Sequence, residues 1–381
     1  MFASLKRRAS NRVRSALLEL GRPPRPAPTA ANEESREGEY PRPYPDGWYV
    51  VARSTELTDK PLRIEALGHA FVLFRDSRGR AVALDAACPH QGADLSLGKV
   101  RGDCIECPFH HWKLASDGSV TEIPYSDRIP PTLRTQHWEI DERYGLIALY
   151  WSTDAQRRSA PYLPPRFDNI DTEAMTHRGD YDAGVVRMHL VEFAENSVDF
   201  QHFQPLHGQM LIPWTGVKVP GVQVRHQATW ELDPDHSHIA WFKNQAILEA
   251  FGRTLEGTNA SAAICIAGPG GIVSFHFDIP RLGKIILFQT HTPEAPLEQR
   301  TRFRWYAERS VPTPLVEYVV GSWITQWRED ITIWETKRYK QRPMLVKGDG
   351  PVHVMRRWYS RFYPPSPETP SPIQVKKKQS R

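Results

Sequence analysis

Four side chains between positions 88 and 110 can hold a metal cluster: Cys88, His90, Cys107 and His110. They form a C-x-H pair and, after sixteen residues, a C-x-x-H pair, inside C-P-H-Q-G-A-D-L-S-L-G-K-V-R-G-D-C-I-E-C-P-F-H. Two thiolates and two imidazoles paired in this way suit a [2Fe–2S] cluster, with the sulfurs on one iron and the ring nitrogens on the other. Each pair fits one tight loop, so each loop gives one ligand to each iron. Pro89 and Pro108 fix φ, and Gly92 lets backbone N–H groups approach the cluster sulfurs. The competing reading is zinc. Cys104 and Cys107 form a C-x-x-C pair that Cys88 and a histidine would complete as a tetrahedral site. Zinc leaves Pro89-His90-Gln91-Gly92 without a role and needs Cys104 in place of His90. His110 is followed by His111; the C-x-x-H count selects His110 and leaves His111 at the surface or in support of the loop.

A second constellation lies in Glu195-Asn196-Ser197-Val198-Asp199-Phe200-Gln201-His202-Phe203-Gln204-Pro205-Leu206-His207. On a helix, Glu195, Asp199 and His202 fall at i, i+4 and i+7 and share a face. Pro205 then ends or bends the helix and lets His207 swing back beside His202. Two histidines and one carboxylate make the facial triad of non-haem Fe(II) sites, which keeps positions open for dioxygen. A later helix offers the carboxylate. Trp323, Trp327, Asp330 and Trp334 follow at i, i+4, i+7 and i+11, so Asp330 points with three tryptophans. An ionised carboxylate in such a stripe is costly unless a partner such as a metal is present. The plainer reading is an exposed aspartate, since its neighbour Glu329 reads as a solvated edge. His202 and His207 by themselves would read as core histidines. The one-electron carrier upstream changes that, because it implies a metal that receives electrons.

The elements that must position these residues follow from the chain's organisation. It has 381 residues, 40% of them hydrophobic, enough for two domains of ordinary size. No apolar run reaches about eighteen residues, so no spanning helix is expected. Four cysteines at uneven spacing are not a disulfide framework; thiolate ligands point to a reducing, cytoplasmic compartment. The net charge of +5 gathers at the two ends, and no nucleic-acid motif is present. Residues 1–46 read as a basic tail and linker. Leu5, Val13, Leu17, Leu18 and Leu20 could share a face, as in a helix lying on an anionic membrane, but a frayed, solvated arm is the plainer reading. Arg22 to Asp46 holds seven prolines and reads as linker. Residues 47–160 show short strands of a small antiparallel β domain. Residues 161–363 begin with Val185 to Val191 and a helix-like stretch from Glu192 to Phe203. Alternating runs and a helix over roughly Pro314 to Tyr339 follow, which is an α+β pattern of antiparallel sheet plus long helix. Residues 364–381 read as a disordered basic tail, with weak membrane contact as the minority reading.

With these motifs in view, the chain resembles the Rieske non-haem iron oxygenases over residues 47–363. The family's C-x-H…C-x-x-H motif matches Cys88, His90, Cys107 and His110. Its N-x-x-D-x-x-H-x-x-x-x-H motif matches Asn196, Asp199, His202 and His207, and its late aspartate matches Asp330. The resemblance implies a Rieske domain, a helix-grip catalytic domain, one [2Fe–2S] cluster and one mononuclear Fe(2+) per chain. It also implies a head-to-tail homotrimer, in which Asp199 is a bridging carboxylate between metal sites of neighbouring subunits and not an iron ligand. Cys104 to His110, Leu206-His207-Gly208, Asp330 to Trp334 and Gly348 to Pro351 running into Arg356 to Tyr363 are similar to the steroid and sterol branch. That branch holds 3-ketosteroid 9α-hydroxylase oxygenase components, Neverland-type cholesterol 7-desaturases and bacterial sterol C4-demethylating oxygenases. The desaturases usually carry an N-terminal membrane helix, which is not seen here.

The activity so implied is O2-dependent hydroxylation, desaturation or oxidative demethylation of a sterol or steroid-like substrate. The chain has no G-x-G-x-x-G and no second set of cluster cysteines, so NAD(P)H would act through a partner ferredoxin or reductase. Lys99, Arg101 and Lys113 are candidates to dock an acidic ferredoxin. Phe242, Phe251, Phe275 and Phe277 are candidates to line an apolar pocket. A reading from another class is an electron-transfer protein with a lipid-binding domain; His202, His207 and Asp330 separate the two, since a carrier needs no second iron.

Overall fold

The structure is a computed structural model that describes residues 2–22, 40–154 and 159–364, with side chains from residue 10 onward in the first segment. The linker read around the prolines and the tail read at the end fall largely outside the described residues.

Three small antiparallel sheets build the first half. One orders β1 (Gly47–Arg53), β11 (Leu146–Trp151) and β10 (Ile140–Arg143). A second holds β2 (Leu62–Ala66), β3 (His69–Arg75), β4 (Ala81–Asp85) and β9 (His137–Trp138). The third holds β5 (Lys99–Arg101), β6 (Cys104–Glu106), β7 (Lys113–Ala115) and β8 (Val120–Glu122). Strand β3 is the shared wall. Its run Phe71-Val72-Leu73-Phe74 is wholly buried, because alternate side chains enter opposite cores. Phe71 and Leu73 pack with Tyr49, Trp138 and Trp151. Val72 and Phe74 pack with Cys88, Ile105, Cys107 and Trp112. The cysteine loops are thereby seated on a rigid strand.

The second half is a nine-stranded antiparallel sheet. Its path runs β12 (Met175–Val186), β20 (Glu298–Glu308), β19 (Gly283–Ala295), β18 (Ile272–Ile279), β17 (Ala260–Ala267), β15 (Ile239–Ala250), β14 (Lys218–Leu232) and β13 (Gln209–Leu211), with β16 (Arg253–Thr254) on β15. A 24-residue helix, Thr313–Thr336, lies across one face. Val316, Val320, Ile324, Trp327, Ile331 and Trp334 are its buried stripe, at the three- and four-residue spacing of an amphipathic helix. Trp323 packs at a tilt on Phe275, with centroids 4.3 Å apart, and Trp327 meets Phe303 edge-on at 5.0 Å. The α+β expectation holds. Strand β12 starts at Met175, well before the expected Val185, and ends at Val186. Strand β17 has no counterpart in the sequence reading.

The first residues depart most from expectation. Phe2–Glu19 is a helix, α1, and it is docked on the second half. Leu18 is fully buried. Arg14 pairs with Glu317 at 3.0 Å and lies over the rings of Trp214 and Trp305. Arg22 donates to the Thr325 carbonyl at 2.7 Å, and Glu19 pairs with Arg328. The last contacts fall on the long helix, within a turn and a half of Asp330. The two halves are sewn together as well: the Thr292 hydroxyl donates to the Val50 carbonyl at 2.6 Å, and Leu67 N–H to the Pro293 carbonyl at 2.7 Å.

Candidate metal centres

The two cysteine loops share one backbone design. In the first, Cys88 N–H donates to the Ala93 carbonyl and Gly92 N–H returns to the Cys88 carbonyl. In the second, Cys107 N–H donates to the Trp112 carbonyl and His111 N–H returns to the Cys107 carbonyl. The fifth residue of each loop has a left-handed backbone, Gly92 at φ +75° and His111 at φ +60°. His111 is therefore the positional equivalent of Gly92. Its side chain is exposed, 3.3 Å from Glu106, which agrees with its reading as a supporting residue.

This design brings the ligand candidates together. Cys88 and Cys107 are buried side by side, the ring centroids of His90 and His110 are 4.8 Å apart, and His90 stacks on Trp112 at 4.4 Å. Burial pushes the Cys88 thiol up to about 11; Cys107 adds to the rise, and N–H groups of His90 and Gln91 aimed at the sulfur oppose it. A buried thiol that is hard to ionise, yet faced by backbone N–H donors, as Cys88 is, fits a cluster that supplies positive charge. Cys104 does not join them. It sits on β6 with its thiol against the Thr121 hydroxyl, so the zinc set is not assembled.

The histidine pair reaches its place by a different route from the one expected. The helix α2 covers only Leu190–Asn196, not Glu192 to Phe203. Ser197 folds its hydroxyl back onto the Ala194 carbonyl at 2.6 Å, and Asp199 leaves helical geometry with ψ 86°. Phe200–His202 then forms a 3-10 turn and Phe203–His207, which contains Pro205, a π turn. Glu195, Asp199 and His202 thus share no helix face. Glu195 is buried and paired with Arg356. Asp199 is exposed, and its carbonyl accepts the His202 Nδ1 hydrogen. That bond fixes the tautomer and leaves His202 Nε2 as the lone-pair nitrogen.

With Thr313–Thr336 named α3, Asp330 of that helix faces both imidazoles. His207 Nε2 is 3.2 Å and His202 Nε2 3.9 Å from Asp330 Oδ1, and one potential ligand atom from each lies within 4.8 Å of the others. The Asn196 amide is 3.3 Å from His202 Nε2. Asp330 is 6% exposed and its Oδ1 lacks a hydrogen bond. Burial works against charge on His207, but Asp330 and then Glu329 outweigh it and lift the ring to about 9. Burial lowers His202, with Asp330 opposing. A buried carboxylate facing two imidazoles fits a divalent cation. Glu329 is not the solvated edge that the sequence suggests. Its Oε2 is buried, 3.6 Å from His207 Nδ1, in the place of the outer carboxylate that orients a metal-bound imidazole. Nothing in the local sequence marks it, because helix and π turn meet only in the fold.

A cavity of about 50 Å³ adjoins the three residues, walled by Phe203, Phe242, Phe275 and Trp327. A second cavity of about 360 Å³ lies beyond Trp323 and Gln326, which line both; Met210, Val224, Leu248, Phe277 and Tyr318 are among its other walls. Of the four phenylalanines expected to line a pocket, Phe251 does not: it is 85% exposed on the turn after β15. A larger hollow of about 760 Å³ is walled by Arg166, Lys243, Asp278 and Lys284, and none of the metal-facing residues lines it. Of the basic residues near the cluster, Arg101 lies by Glu106 and Lys113 is paired with Glu122, while Lys99 is exposed.

Comparison with known proteins agrees with both centres. Residues 47–135 match the Rieske [2Fe-2S] domain and residues 151–363 the 3-ketosteroid 9alpha-hydroxylase C-terminal domain. The chain is 33% identical over 344 residues to the cholesterol 7-desaturase of Caenorhabditis elegans, covering 86% of this chain and 79% of that protein. It is 28% identical over 341 residues to a probable 3-ketosteroid-9-alpha-monooxygenase oxygenase component of Rhodococcus rhodochrous, covering 86% and 82%. Dicamba monooxygenase shares the fold, with a TM-score of 0.60 at 20% identity over 83% of this chain and 96% of the other. Two cysteine–histidine loops on a β domain, a two-histidine, one-carboxylate cluster under a long helix, and these matches have one reading: the chain belongs to the Rieske non-haem iron oxygenases, in the branch that carries the 3-ketosteroid 9alpha-hydroxylase C-terminal domain.

Proposed function

We propose that Cys88, His90, Cys107 and His110 hold the [2Fe–2S] cluster, that His202, His207 and Asp330 hold the mononuclear iron, and that the substrate is a sterol or steroid lying in the cavity that Trp323 and Gln326 join to the iron site. The carrying observation is the convergence of His202, His207 and Asp330 at the inner end of an apolar cavity. Its volume falls within the range of about 300–1,000 Å³ usual for small-molecule sites. Bound at these residues, the cluster would store one electron at a time and the iron would activate dioxygen for attack on an unactivated C–H bond.

The chain's own residues account for the rest. The Asp199 carbonyl and Glu329 orient the two imidazoles. Phe203, Phe242, Phe275 and Trp327 keep water from the reacting carbon. Beside His202, His207 and Asp330, the Asn196 and Gln326 amides and Ser197 are the polar lining of a mostly apolar chamber. Electrons come from a partner ferredoxin or reductase. The exposed Asp199 carboxylate bridges to a neighbouring subunit's cluster domain in a homotrimer. Sedimentation of the metal-loaded protein as a monomer would overturn that last part.

The test is turnover on a panel of sterols and steroids with an NADH-driven reductase, read by mass spectrometry. A gain of one oxygen means hydroxylation, a loss of two hydrogens desaturation. His207→Ala removes turnover and keeps the cluster's visible spectrum; loss of both would show that His207 is structural. An iron-replete, reducible protein that converts no sterol or steroid sinks the substrate reading.

A further inference from the structure

The mouth of the 360 Å³ cavity has an unusual rim. Tyr318, which lines the cavity, is 44% exposed. Leu255, 38% exposed, is tied to the cavity wall by its N–H on the Leu248 carbonyl and its carbonyl on the Thr258 hydroxyl. Beyond Leu211, another wall residue, the chain turns through Ile212 and Val217, which are 47% and 38% exposed and joined by a hydrogen bond of 2.9 Å. The end of α1 abuts that turn, with Gly216 N–H on the Leu20 carbonyl at 2.7 Å. Leu18 points inward and is buried, while Leu17 and Leu20 face solvent at 37% and 52% exposure. Single exposed apolar side chains are ordinary; a set of them around an apolar opening marks a contact surface.

Charge indicates the contact. The sequence of α1 carries Lys6, Arg7, Arg8 and Arg12, and its first acid is Glu19. Glu19 is itself paired with Arg328, and Glu249 near the rim with Arg225. Arg12, Lys218 and Arg253 are exposed about the rim, and so is the acid Glu256. An apolar outer face flanked by cations is the make-up of a helix that lies in the headgroup layer of an anionic bilayer. None of the described helices is long and apolar enough to cross one, so the contact is peripheral.

We propose that the protein docks on an anionic lipid bilayer through this rim, with Leu17, Leu20, Ile212 and Val217 inserted and the cavity mouth opening onto the lipid. This rests on the lipid-substrate reading above. A sterol partitions into the bilayer, and a mouth held against the membrane takes it up without carrying it through water.

The test is co-sedimentation of the metal-loaded full chain with phosphatidylcholine vesicles, with and without phosphatidylserine. Native protein pellets with the anionic vesicles and is partly released by salt. The double variants Leu17→Asp/Leu20→Asp and Ile212→Asp/Val217→Asp, which touch neither metal centre, each lose at least about tenfold in vesicle affinity. Their turnover of vesicle-borne sterol falls in step, while turnover of cyclodextrin-delivered sterol matches the native protein. Native protein that stays in the supernatant at low salt overturns the proposal, as do variants that bind like the native protein. Variants that only change the oligomer's mass, with no vesicle binding by the native protein, assign the face to a second copy instead. If cyclodextrin-delivered sterol is not oxidised by the native protein, the substrate reading fails, and the sedimentation result still decides the docking.

Discussion

At the scale of single residues, the doubled histidine after Cys107 has a structural cause. His111 occupies a left-handed position that its counterpart loop fills with Gly92. A non-glycine residue there costs on the order of 1–2 kcal/mol. Its exposed contact with Glu106 returns little. His111→Gly therefore keeps the cluster spectrum and raises the melting temperature by a few degrees. Loss of the cluster in that variant would make His111 a ligand. The grouping of the candidate ligands Cys88, His90, Cys107 and His110 was legible because fixed spacing within short loops survives any fold. Glu329 was not, since its meaning depends on a π turn more than a hundred residues earlier in the chain. Phe251 misled for the opposite reason: a large apolar residue at a strand end reads as core until the turn's direction is known.

At the scale of elements, the short helix α2 shows why periodicity failed around the iron site. The sequence runs on with helix-compatible residues, but Ser197 back-bonds, and the Val198 carbonyl is pressed by the 346–351 segment. A Cβ on Gly350 would lie 1.5 Å from that oxygen. A local back-bond and a tertiary contact together end the helix. Its start is set by His189, whose Nδ1 accepts the Val191 N–H while its Nε2 hydrogen goes to the Arg42 carbonyl. Both nitrogens are committed, so the ring must stay neutral, and burial lowers its pKa from 6.5 to about 4. As pH falls from about 6.5, the unfolded chain takes up a proton that the folded one refuses, so stability drops toward pH 4. His189→Asn keeps an acceptor at the cap and does not titrate. Its melting temperature lies below the native protein's near pH 7.5, because the bond to the Arg42 carbonyl is lost, and it falls less steeply toward pH 5. The buried His291 is lowered in the same direction, so a residual slope remains. An identical acid limb in both proteins would refute the role of His189.

At the scale of the whole molecule, the sheet-and-helix order followed from alternation and from the tryptophan stripe. The docking of α1 did not, because its inward contacts, Arg14 over two tryptophans and Leu18 in the core, involve partners far along the chain. The long helix α3 joins the two functional regions, since Tyr318, Ser322 and Trp323 line the outer cavity and Asp330 faces the histidines. Ser322→Trp would fill the outer cavity one turn inside Tyr318. Turnover of substrates with a long side chain then falls by roughly tenfold or more, with compact steroids less affected. Equal losses for both would place the substrate elsewhere.

That helix also serves as a ruler. Tyr318 and Asp330 are twelve positions apart, about 18 Å at the helical rise, a span comparable with a whole sterol, ring system and side chain together. One end of the scale is open to the outside and the other is fixed at the cluster of His202, His207 and Asp330. With the proposed substrate lying along this scale, the carbon attacked is a matter of length read from the mouth, and a bulkier stop there moves the position oxidised.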